Sequence, residues 1–92
     1  MHVILKQVTE AVQELEIKRH YDWGVGTQPY GVGEIIVVQL SYRRTDIPFA
    51  VVELINYNRK EGHLGCPRLV DGNPEPWILE AMMERALEEA RA

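Results

Sequence analysis

Residues 34–57 read EIIVVQLSYRRTDIPFAVVELINY. Two runs rich in Ile, Val and Leu flank Arg43-Arg44-Thr45-Asp46, a polar tetrapeptide suited to a turn, so the stretch predicts a β-hairpin. If an even number of residues closes the turn, Tyr42 faces Ile47, Leu40 faces Phe49 and Val38 faces Val51. Ile36, Val38, Leu40, Tyr42, Ile47, Phe49, Val51 and Ile55 then share one side of the ribbon. The other side holds Ile35, Val37, Gln39, Ser41, Ala50, Val52 and Leu54. A one-residue slip would mix the two sets, yet both sides would stay largely apolar.

Toward the N-terminus, Ile17 to Val25 alternates apolar and polar residues, as a half-buried strand does. Between it and the hairpin lies GVGTQPYGVG, residues 24–33, whose four glycines and one proline predict a long hairpin loop or a bulged turn. Residues 1–19 predict an amphipathic helix. Ile4, Val8, Ala11, Val12 and Leu15 form its stripe, and Glu14 and Lys18 are ordered for an i,i+4 ion pair. A strand over residues 2–8 with Thr9 as helix N-cap is the alternative.

Toward the C-terminus, residues 56–76 read as a connection of about twenty residues, far beyond the ~4–6 common in compact domains. Leu64, Leu69 and Val70 could tack it to the sheet. Asn73-Pro74 predicts the start of a last helix. Leu79, Met82, Met83, Ala86, Leu87 and Ala90 make its apolar stripe, and Glu80, Glu84 and Glu88 an acidic column that reads as a solvated face. The expected fold is α+β, ordered helix–strand–strand–strand–helix. It has a three-stranded antiparallel sheet with two helices on one face, in a single domain of residues 1–92. Double-stranded-RNA-binding domains share that order, but here the last helix opens Glu75-Pro76-Trp77 and carries five Glu against two Arg, so the likeness ends at the order.

Ninety-two residues with 46% apolar and 26% charged side chains fit one folded domain. The lone cysteine, Cys66, leaves no intrachain disulfide. No run reaches the ~18 apolar residues of a membrane span and no signal peptide is evident, so a cytoplasmic location is expected. The net charge is −4. Residues 17–73 are nearly neutral while both ends are acidic, which argues against general nucleic-acid binding.

The basic residues Arg43, Arg44, Arg59, Lys60, His63 and Arg68 are the candidates for contact with an anionic partner or ligand, with Tyr30 and Gly31 as loop contacts. For Arg43-Arg44 the plainer reading is a turn kept soluble by charge, and for the 58–73 loop a solvated segment. His63 and Cys66 suggest a thiol site but lack an orienting third group, and four zinc ligands cannot be assembled. His20 and Asp22 could do acid/base work with Glu34 or Glu53, although a core-facing Tyr21 and Trp23 with wet neighbours explains the same tetrapeptide. No catalytic residue, metal or cofactor is expected.

Two helices can cover only one side of a small sheet. The other side must be covered by something, and a second copy is the simplest candidate, with Ile36, Val38, Leu40, Phe49, Val51 and Ile55 as its interface. The expected function is a small, non-enzymatic, homo-oligomeric (dimeric) interaction or accessory protein with a protein partner at its loops, in keeping with an inhibitor of phage or mobile-element origin. A binder of small anionic ligands such as nucleotides at a subunit boundary is the alternative, and a thiol enzyme the second alternative.

Overall fold

The hairpin forms from β2 (Gly33–Tyr42) and β3 (Pro48–Asn58) in a computed structural model that describes residues 2–58 and 60–92, with side chains from Val8 onward. Its register departs from the expected one by one residue. The Tyr42 N–H donates to the Ile47 carbonyl at 2.9 Å, so the turn closes as foreseen. Thr45 tightens it, donating from Oγ1 to the Tyr42 carbonyl at 2.7 Å and accepting from the Ile47 N–H at 3.1 Å. Beyond it the pairing slips between Leu40 and Ser41: Ser41 opposes Pro48, while Leu40 opposes Ala50, Val38 opposes Val52 and Ile36 opposes Leu54.

The reason lies in Glu53. A face built from Phe49, Val51 and Ile55 would carry the Glu53 carboxylate into the core with them. The adjacent set of Ala50, Val52 and Leu54 buries no charge, and its one polar member, Asn56 at the strand's end, is neutral. Pro48, which has no N–H to give to the ladder, sits where the slip occurs.

The remaining elements are α1 (His2–His20), β1 (Tyr21–Tyr30), β4 (His63–Leu64), β5 (Arg68–Gly72) and α2 (Pro76–Arg91). The α+β class, both helices and the antiparallel sheet are as expected, but the described residues form five strands where three were expected. β1, β2 and β3 are neighbours in that order, and β4 and β5 share the outer edge of β3. The long connection therefore supplies two short strands, and Leu69 packs against the core.

The glycine-rich stretch is also a strand. β1 pairs with β2 without interruption from Tyr21–Tyr42 to Tyr30–Gly33. The turn shrinks to Gly31-Val32, with Gly31 at φ 57°, as a two-residue hairpin with glycine at its first central position requires. α1 runs on to His20, taking Ile17 and Arg19 out of the expected strand, and the Glu14–Lys18 ion pair closes at 3.5 Å. α2 begins at Pro76, two residues beyond the expected proline start, with Glu75 as N-cap.

Both helices lie on one side of the sheet. Ile36, Val38, Leu40, Ala50, Val52 and Leu54 are sealed beneath Ile78, Met82 and Ala86 of α2 and Ile17 of α1. The molecule measures 39 × 37 × 19 Å. Nineteen ångströms is the depth of one sheet plus one helix, so among the described residues the opposite side of the sheet has no covering layer.

Where α1 meets β1, Tyr21 stacks on Phe49 with ring centroids 4.3 Å apart and planes at 16°. Burial first, then Tyr42 and Glu75, raise its pKa above the usual 10.0. The folded chain thus holds this proton more tightly than the unfolded one. The associated stability is intact below about pH 10 and falls as pH rises through the raised value. Ultraviolet titration should show one tyrosine ionising after the others, and Tyr21→Phe should abolish that late step. A titration unchanged by Tyr21→Phe would contradict the assignment.

Candidate functional site

The basic residues singled out from the sequence separate in space. Arg43 and Arg44 stand at the β2–β3 turn, and Lys60 and His63 at the opposite end of β3. Between them lies an eleven-residue strand, roughly 35 Å long. Arg59 falls outside the described residues. Arg68 lies midway along, opposite Glu53. The five described ones do not form one anion pocket.

Their local roles differ as well. The Arg43 backbone N–H donates to the His20 carbonyl at 3.1 Å and its guanidinium to the Arg19 carbonyl at 3.5 Å. Both bonds satisfy carbonyls that the end of α1 leaves unpaired, where positive charge is favoured. Arg44 holds φ 61°, an uncommon conformation for a residue with a side chain, and its N–H donates to Asp22 Oδ2 at 2.9 Å. Asp22 therefore secures the turn, His20 pairs with Glu16 at 3.1 Å, and Glu34 lies at the far end of β2. The acid/base set suggested by His20 and Asp22 is not assembled.

At the far end, Tyr30 meets Tyr57 edge-on with centroids 6.1 Å apart, which groups Tyr30 and Gly31 with the turn that carries Lys60 and His63. Asn58 Oδ1 accepts from the N–H groups of Lys60 and Glu61 at 3.1 and 3.3 Å. His63 Nδ1 lies 3.5 Å from Glu61 Oε2.

The uncovered side of the sheet carries Ile35, Val37, Val51 and Ile55, all partly exposed. A cavity of about 280 Å³ opens there, lined by Ile35, Glu53, Ile55, Tyr57, Gly65, Cys66 and Arg68. Cys66 is exposed and His63 is not part of that lining. The expected oligomer interface is consequently divided. Val51 and Ile55 are on the uncovered side, Phe49 joins the Tyr21 stack, and Ile36, Val38 and Leu40 are core residues that a neighbour cannot touch. The register slip accounts for the division.

A larger hollow, about 550 Å³, separates the two helices. Glu10 and Glu14 line it from α1, Glu80, Glu84 and Glu88 from α2, with Ile17 and Trp23 between. The guanidinium of Arg85 rests 5.0 Å from the Trp23 ring centroid. The acidic column on α2 thus faces a second set of carboxylates, a juxtaposition that no single helix pattern reveals.

The arrangement of α1 is the other feature that periodicity alone misses. Thr9, Glu10, Gln13, Glu14 and Ile17 face the hollow. On a helical wheel that side is opposite the apolar stripe. Val8, Val12 and Leu15 are accordingly 55%, 59% and 68% exposed, whereas Ile17 is 1% exposed. The helix is fastened by its polar side. Ile17 was the available signal, since it is the one large apolar residue of 8–20 that lies off the stripe.

Among the described residues, no three His, Cys, Asp or Glu side chains converge in a way that could hold a metal ion, and no helix is long and apolar enough to cross a membrane. No known family model, curated protein or solved structure matches this chain.

Proposed function

We propose that this chain is a non-catalytic, homo-oligomeric interaction protein. The observation that carries the reading is the outward apolar stripe of α1. Three large aliphatic side chains at i, i+4 and i+7 stand in solvent on a helix already anchored from its other side. Fully burying such a side chain is worth roughly 1.5–3 kcal/mol, a contribution that offsets part of the cost of association through this surface. The uncovered sheet side adds a second apolar region of the same kind. Partner recognition then falls to the exposed ends of the hairpins, with Arg44 at one and Tyr30, Lys60 and His63 at the other.

Sedimentation at micromolar concentration tests the reading. A species of about twice 10.6 kDa is expected, and a lone 10.6 kDa species would overturn it.

A second reading, a binder of small anionic ligands, has Arg68 in its favour. Arg68 lines the 280 Å³ cavity beside Cys66 and makes no ion pair among the described residues, although Glu53 is its cross-strand neighbour. A nucleotide that raises the melting temperature by several degrees would favour this reading, and flat curves would favour the first.

A further inference from the structure

We propose that a second copy of this chain joins at the free edge of β1. The two β1 strands pair antiparallel about a two-fold axis, and the two α1 stripes close on each other above that seam. This rests on the self-association proposed above and specifies where it occurs.

The two edges of the sheet are unlike. The β3 edge is occupied by two short strands, and its pairing is irregular with both of them. β1 is ten residues long, is regular throughout and, among the described residues, is hydrogen-bonded on one side only. In an antiparallel ladder alternate residues turn their N–H and C=O groups outward, so β1 offers a row of unmet backbone groups. Most of the devices that usually blunt such an edge are missing from it. It has no Lys or Arg and no bulge, its single proline is the next-to-last residue, and its one charge, Asp22, is already bonded to Arg44.

α1 leads directly into this strand, and its main contact with the sheet is with it. A helix is about 10 Å across and strands are about 4.8 Å apart, so a helix over the outermost strand overhangs the edge. The overhanging side is the one turned away from α2, and it bears Val8, Val12 and Leu15. Below it Val25 is 40% exposed. With β1 paired to β1 at about 4.8 Å, an α1 axis set roughly 2 Å inboard of its own strand meets the second α1 at the roughly 8–10 Å of ordinary helix packing. One symmetry operation therefore meets two independent needs, unmet backbone hydrogen bonds and unburied aliphatic area. A strand edge of this length beneath a five-turn helix is on the scale of the roughly 800 Å² per partner that a specific interface requires.

The test compares the full-length chain with V12E/L15E on α1 and Ile55→Glu on the uncovered sheet side, by sedimentation and by amide exchange. Both sets of side chains are at least partly exposed, so the protomer is expected to fold in each case. The native chain should have twice the protomer mass, with alternate amides of residues 22–28 exchanging at least about tenfold more slowly than in V12E/L15E. V12E/L15E should fall to 10.6 kDa and Ile55→Glu should remain double. A native dimer that dissociates in Ile55→Glu but not in V12E/L15E overturns the seam while leaving self-association standing. Dimers in all three chains overturn the seam in the same way. A native monomer overturns both. Should V12E/L15E not fold, exchange in the native dimer decides alone, because rapid exchange at every β1 amide rules out strand pairing.

Discussion

Gly33→Ala is expected to lower stability by more than about 3 kcal/mol, a large share of the roughly 5–15 kcal/mol that holds a domain together. A Cβ at this position would fall on the carbonyl oxygen of Asn56 and within 2.8 Å of the carbonyl carbons of Asn56 and Tyr57. These are main-chain atoms of the central strand, so no side-chain rotation relieves the overlap. β2 and β3 must separate at the end where Asn56 is buried and Tyr30 reaches Tyr57. For a chain of this length the melting midpoint should drop by more than about 10 °C. Gly26→Ala is the matched comparison, since nothing lies within 4 Å of its added Cβ, and its effect should stay near 0.5 kcal/mol. Equal midpoints for the two variants would refute the account.

Ile17→Ala should cost about 2–4 kcal/mol and, unlike other core truncations, should loosen one whole element. Ile17 is the only fully buried side chain on α1 among residues 8–20. Within the protomer, residues 8–20 of the helix then keep the carbonyl contacts of Arg43 and little apolar attachment. A detached helix of this length is marginal in water, so ellipticity at 222 nm should fall well before the sheet melts. Met82→Ala removes a comparable volume beneath α2 and should lower the midpoint without that early loss. An Ile17→Ala protein with native ellipticity and a native midpoint would show that α1 is held by something else.

The parts of the fold legible in the sequence were those in which one period governs a long segment. The β2–β3 hairpin, both helices and most of the apolar stripe of α2 follow from spacing alone, although that stripe left out Ile78, which is buried. Register did not, because both sides of the hairpin are greasy and the deciding residue is a single carboxylate, Glu53. β4 and β5 were hidden for a different reason: two and five residues are too few to show alternation. The glycines of β1 obscured a strand that is defined by its neighbour more than by its own propensity. For the candidate site, the sequence located the charged residues but not their distribution over two ends of the molecule. The stripe on α1 was equally plain, while its direction depended on Ile17, which alternation with Tyr21 and Trp23 had assigned to a strand.

The broken margin formed by β4 and β5 has a consequence for how far assembly can go. A sheet with two receptive borders grows without limit, copy upon copy, into a fibre. With one border ragged and already taken, a pair joined through the other border, as proposed above, offers no further strand edge, and growth along the sheet stops there.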